Sequence, residues 1–159
     1  MTVYLLTVFL FFIQGIKMII AKHIITVFNK YNADTPPYSE AWARTVIKFA
    51  QWEDSTNRNF TSTGATFIDK YISIIIPKNA NTEGKKYIPP KEWGLLPAAQ
   101  KLLTWTLEQG SDIFLGEVPP LAGGYTYTQA RKDFVYCLIK SVEDLTNQPI
   151  LPHWEVTGI

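Results

Sequence analysis

Apolar and polar positions alternate in short runs along most of the chain, and breakers separate the runs at fairly regular intervals. Ile19–Phe28 puts Ile24, Thr26 and Phe28 on one face and His23, Ile25 and Val27 on the other, which predicts a strand. The Pro36-Pro37 pair then marks a surface loop, since proline cannot continue a ladder. Trp42–Trp52 alternates again, with Thr45, Ile47 and Phe49 opposite Arg44, Val46, Lys48 and Trp52. Asp54–Thr63 is polar and reads as a break. Ala65–Ile76 offers a further strand, ended by Pro77. Pro77–Gly94 holds turn formers and a Pro89-Pro90 stop and is expected to be an extended loop or loose hairpin tip. Over Pro97–Thr106 a short helix competes with a non-helical connection. A turn at Gln109-Gly110-Ser111 feeds a strand over Asp112–Val118. The stretch from Pro119 to Asp133 reads as a second breaker-rich connection, and strands follow at Phe134–Val142 and Ile150–Val156.

These runs predict a mainly β chain: a small β-barrel or sandwich of six to seven strands, with one long loop and at most one short helix. At 159 residues, one domain is expected. The opening is the exception to the pattern. Val3–Ile13 is apolar and uncharged, but Gln14, Gly15 and Lys17 interrupt it before the roughly 20 residues that a spanning helix needs. No basic residue precedes it and no small-x-small cleavage site precedes Lys22, so a signal peptide is not well formed either. The preferred reading takes Met18 as the start, with residues 1–17 an apolar leader and 18–159 a single β-rich domain. The competing reading keeps the leader as an anchor.

Composition narrows the function. Fifteen Lys and Arg against fourteen Asp and Glu leave a net charge of +1, so no global field drives the chain onto nucleic acid or anionic lipid. One Cys and two His cannot build a disulfide framework or a Cys/His zinc site within the chain. Gly123-Gly124 precedes no P-loop Lys-Ser/Thr, so no nucleotide cradle is expected. His23 and His153 are far apart in sequence, Cys137 lies in an apolar run, and Asp112, Glu117, Glu143 and Asp144 are scattered. No catalytic residue, cofactor or metal ligand is therefore predicted, and the chain reads as a non-enzyme.

Two features carry a functional expectation. Lys78, Lys85, Lys86 and Lys91 gather four of the fifteen basic residues in the Pro77–Gly94 loop. They read either as a solvated loop tip or as a basic tongue that meets phosphates without regard to sequence. The aromatics, among them Trp42, Trp52, Trp93 and Trp154, read as core or as inter-subunit contacts.

Four segments carry a resemblance: MIIAKHIITVFNKYN, RTVIKFAQWED from Arg44, WTLEQGSDIFLGEV from Trp105, and the terminal YCLIKSVEDLTNQPILPHWEVTGI. In the order of strand, Trp and turn positions they resemble the head-completion, head-tail connector or neck ("minor capsid") proteins of tailed bacteriophages of Gram-positive hosts. The resemblance implies a β-barrel-like virion protein, assembled as a homo-oligomeric ring in the host cytoplasm and lying in the neck between the portal or adaptor protein and the tail proteins. It also implies that a loop helps to retain packaged DNA, and Lys78–Lys91 is the candidate by position and charge. A membrane partner is not expected on this reading. The runner-up is a membrane-anchored or exported β-domain that binds a ligand through surface aromatics.

Overall fold

The structure, a computed structural model, describes residues 21–60 and 66–159, and side chains over 21–56 and 70–159. The expected leader, 1–17, lies outside the described residues. Eight strands are described: β1 (His23–Asn32), β2 (Glu40–Phe60), β3 (Thr66–Pro77), β4 (Lys86–Tyr87), β5 (Thr104–Trp105), β6 (Asp112–Leu115), β7 (Tyr136–Leu145) and β8 (His153–Gly158). Three short helices join them: α1 (Pro90–Gly94), α2 (Ala98–Lys101) and α3 (Tyr127–Asp133). The described chain is thus mainly β, as its alternation predicts, with three short helical segments among the described residues where at most one was expected.

Six strands close into an antiparallel barrel in the order β1-β2-β3-β8-β7-β6, and β4 pairs with β5 in a separate parallel ladder. Every barrel strand contributes to the interior: Ile25 and Val27 from β1, Ile47, Ala50 and Trp52 from β2, Ile74 and Ile76 from β3, Ile113 from β6, Cys137 and Ile139 from β7, and Trp154 and Val156 from β8. Side chains fill this space, and each buried Ile or Val there contributes about 1.5–3 kcal/mol relative to exposure. A second cluster lies outside the barrel wall, where α3 covers Phe28, Phe114 and Val118. Both faces of β1 are therefore buried, which explains the run of β-branched residues in its sequence.

The register of β2 corrects the expected faces. His23 pairs with Ala50 but Ile24 pairs with Lys48, which leaves Phe49 as an extra residue. Phe49 takes φ 69° and is 60% exposed. One added residue reverses the alternation beyond it. Ala50 and Trp52 consequently share the interior with Ile47, whereas Trp52 was expected on the face of Arg44, Val46 and Lys48.

The polar stretch after Asp54 does not break the strand. β2 pairs with β1 as far as Ala50 and then with β3 from Gln51 to Phe60. β3 in turn pairs with β8 only from Ile72 onward. Residues Ser55–Phe60 and Thr66–Tyr71 therefore form a two-stranded ribbon beyond the barrel mouth, six residues on each side and about 20 Å long.

Candidate functional site

The segment Pro77–Gly94 is a strap bonded across one end of the barrel. The Lys48 N–H donates to Asn81 O at 2.9 Å, and the Ile88 N–H donates to Trp105 O at 2.9 Å. β4 then pairs Lys86 with Thr104 and Tyr87 with Trp105. Under the strap the Tyr87 ring lies 4.6 Å from Trp154 and 5.0 Å from Trp105, centroid to centroid, and Trp93 of α1 is buried against Tyr31. These rings pin a long, breaker-rich segment that has no ladder of its own beyond two residues.

Three of the four strap lysines rim one crevice, and Lys91 does not join them. Lys85 folds inward and its Nζ donates to Arg44 O; desolvation lowers its pKa, with Glu83 opposing. Lys78 Nζ donates to Thr146 O at 3.3 Å. Lys86 and Lys91 are exposed. Lys78, Lys85 and Lys86 rim a crevice of about 400 Å³ with Thr82, Asp144 and Trp154. Asp144 is held below the usual carboxylate range, chiefly by the Thr146 side chain and also by its N–H, and burial beside Asp144 pushes the Tyr87 phenol up to about 12. Charges of both signs at one rim make the crevice a poor phosphate cradle.

The tryptophans singled out in the sequence are largely spent within the chain. Trp52, Trp93 and Trp154 are 6%, 3% and 6% exposed, so their rings serve the core and strap, with no face left for a partner. Trp42 is partly buried and stacks on Tyr127 at 4.0 Å and 9°.

That stack belongs to a polar clamp which sequence reasoning missed. Asp112 is buried, and its Oδ2 accepts from Arg131 Nε at 2.5 Å and from the Tyr127 hydroxyl at 2.8 Å. Both donors stand on α3, one turn apart, so the carboxylate fastens the helix to the barrel wall. Burial and the bond to Asp112 push the Tyr127 phenol far up, and the same carboxylate raises Arg131. Arg131 also lies over the Tyr136 ring at 4.8 Å. A signal for α3 was present in Thr126 and Gln129: the Thr126 hydroxyl accepts from the Gln129 N–H at 3.2 Å and caps the helix.

The ribbon leaves the barrel beside His23. The Trp52 N–H donates to His23 Nδ1 at 3.0 Å, so the imidazole takes the ladder position just past the end of β1. His153 is engaged elsewhere, with Nδ1 2.6 Å from Leu151 O. At the ribbon root Asp54, Thr56, Lys70, Tyr71, Ile72 and Ile159 line a groove of about 310 Å³. Cys137 lies in the barrel interior, where burial pushes its thiol up to about 12. Among the described residues no group of three or more His, Cys, Asp or Glu could hold a metal ion, and no helix is long and apolar enough to cross a membrane.

The sequence profile of DUF6751 matches residues 20–159. The chain belongs to this family of unknown function. No curated protein and no solved structure matches it. The matched region of this DUF6751 protein takes in the barrel, the strap, the clamp and the ribbon together. Of these, the strap lysines were legible in the sequence, whereas the clamp and the ribbon emerge only from the fold.

Proposed function

We propose that this DUF6751 protein is a non-enzymatic structural component of the neck of a tailed phage virion. It works as a homo-oligomeric ring that joins the portal or adaptor protein to the tail, and it is assembled in the host cytoplasm. The observation that carries the reading is the ribbon. Side chains of the described residues fill the barrel interior, while the ribbon extends two strand edges that no other described strand pairs with. The exposed Lys86 and Lys91 are its candidates for contact with packaged DNA, and such contact is blind to sequence and weakened by salt.

The test is fractionation of the native source into membranes, soluble protein and density-banded particles, with mass spectrometry of the N-terminal peptide in each. Recovery with intact particles is expected. Recovery in membranes with residues 2–17 retained overturns the proposal in favour of an anchored or exported β-domain. For the lysines, Lys86→Glu with Lys91→Glu is expected to make filled heads leak DNA, and normal retention removes their role.

A further inference from the structure

The two edges of the ribbon run beyond the ladders that close the barrel. The barrel closes by a change of partner within β2, which is laddered to β1 over Glu40–Ala50 and to β3 over Gln51–Phe60, while β3 meets β8 over Ile72–Pro77. Over Ser55–Phe60 and Thr66–Tyr71, β2 and β3 are laddered only to each other among the described residues. The Trp52 N–H, at the mouth, is capped by His23. Strand alternation turns the backbone groups of Asp54, Thr56, Arg58 and Phe60 toward that same side, where no described strand meets them. A two-stranded ribbon standing alone in water is marginal, and its open edges invite pairing.

The edges are also unlike one another. They run in opposite directions, and at the root the β2 edge carries the exposed Asp54 while the β3 edge carries the exposed Lys70. Two copies standing side by side, ribbons pointing the same way, bring the β3 edge of one against the β2 edge of the next as an antiparallel pair, base toward acid. Six residues on each edge supply about six main-chain hydrogen bonds per contact. This pairing consumes one edge of each copy and leaves the other free. The contact is heterologous and repeats until the series closes.

We propose that the β3 edge of the ribbon is the docking site for the β2 edge of a second copy of this chain, so that the ribbons of neighbouring copies join into one continuous antiparallel sheet. The proposal deepens the ring element of the proposed function and rests on it. The groove at the root, with Tyr71, Ile72 and the exposed Ile159, extends the contact from main chain to apolar side chains.

The test uses the full-length chain carrying Asp54→Cys or Lys70→Cys, each confirmed as folded by circular dichroism; Cys137 is buried and does not compete. The two variants are mixed, oxidised and analysed on non-reducing gels with mass spectrometry. A 54–70 disulfide between chains, in excess of random pairing and absent from either variant alone, is expected. The charge exchange Asp54→Lys with Lys70→Glu is expected to restore the assembly that each change alone weakens, read by native mass spectrometry. Like-with-like disulfides in the single variants would overturn the proposal by showing a two-fold contact. Absence of any disulfide from a protein that stays monomeric would also overturn it. So would protection of the β2 edge from hydrogen exchange in that monomer, which would give the edge an occupant before Ala21 in the same chain. Banding with particles without the mixed disulfide sinks this inference and leaves the neck reading intact; the disulfide without banding does the reverse.

Discussion

Replacing Arg131 by Ala tests the clamp on α3 most directly. Asp112 has 1% of its side chain exposed and Arg131 43%, so the carboxylate is buried, with Oδ2 holding both bonds and Oδ1 without a partner, while Arg131 reaches solvent. Removing one member of a fully buried pair costs about 3–5 kcal/mol, because the remaining charge is stranded. The exposure of Arg131 screens part of that, and the Tyr127 hydroxyl keeps one hydrogen bond to the carboxylate at 2.8 Å. The net expectation is a loss of about 2 kcal/mol, including the contact with the Tyr136 ring. In urea unfolding followed by tryptophan fluorescence, the midpoint is expected to fall at unchanged slope, and melting to drop by about 4–8 °C. The decisive variant is the double change with Asp112→Asn, which removes the stranded charge without changing the shape. It is expected to be less destabilised than the sum of the two single changes by about 1 kcal/mol or more. Strict additivity, or a loss below about 0.5 kcal/mol in Arg131→Ala, would refute the clamp as the fastening of α3.

Three further outcomes are expected. Phe49 holds φ 69° at a bulge with its ring 60% exposed, so Phe49→Gly should raise stability by about 0.5–1 kcal/mol, the left-handed penalty less the added entropy of the unfolded chain; a lower melting temperature would count against it. A Cβ on Gly158 would lie 2.8 Å from Leu138 O and 2.9 Å from Cys137 Sγ, so Gly158→Ala should cost about 1–3 kcal/mol in the same unfolding assay, and an unchanged midpoint would show that the β7–β8 seam yields. Asp144 has a lowered native pKa, so its contribution is present above the unfolded value of about 4 and is lost as pH falls through the native one; melting curves of the parent and Asp144→Asn should differ near neutrality and converge in acid, and a gap independent of pH would exclude this linkage.

Barrel strands were readable wherever one face is buried and the other is not. Cys137 with Ile139 and Trp154 with Val156 sit at the period of two that places them in the interior. The rule loses its signal where that asymmetry ends. Ser55–Phe60 has no barrel behind it, so its polar sequence looks like a turn although its backbone is a strand. Phe49 shifts the frame through a single positive φ, which no residue type announces when the residue is not glycine, and that moved Trp52 to the other face. Asp112 looks like one solvated acid among several because its partners, Tyr127 and Arg131, lie on a helix hidden in a stretch rich in glycine and proline. The strap lysines were visible as a charge cluster, but their separate anchors at Arg44 O and Thr146 O depend on contacts distant in sequence.

The continuity of β2 has a mechanical consequence. From Glu40 to Phe60 a single uninterrupted strand serves both the barrel wall and the ribbon. A pull on the ribbon therefore travels along the strand axis into the β1–β2 ladder. Its hydrogen bonds, from His23 opposite Ala50 to Asn32 opposite Glu40, are then loaded together in shear and are not peeled apart one at a time. The bulge at Phe49 lies next to the point where the strand passes from one partner to the other, at the inner end of that loaded ladder.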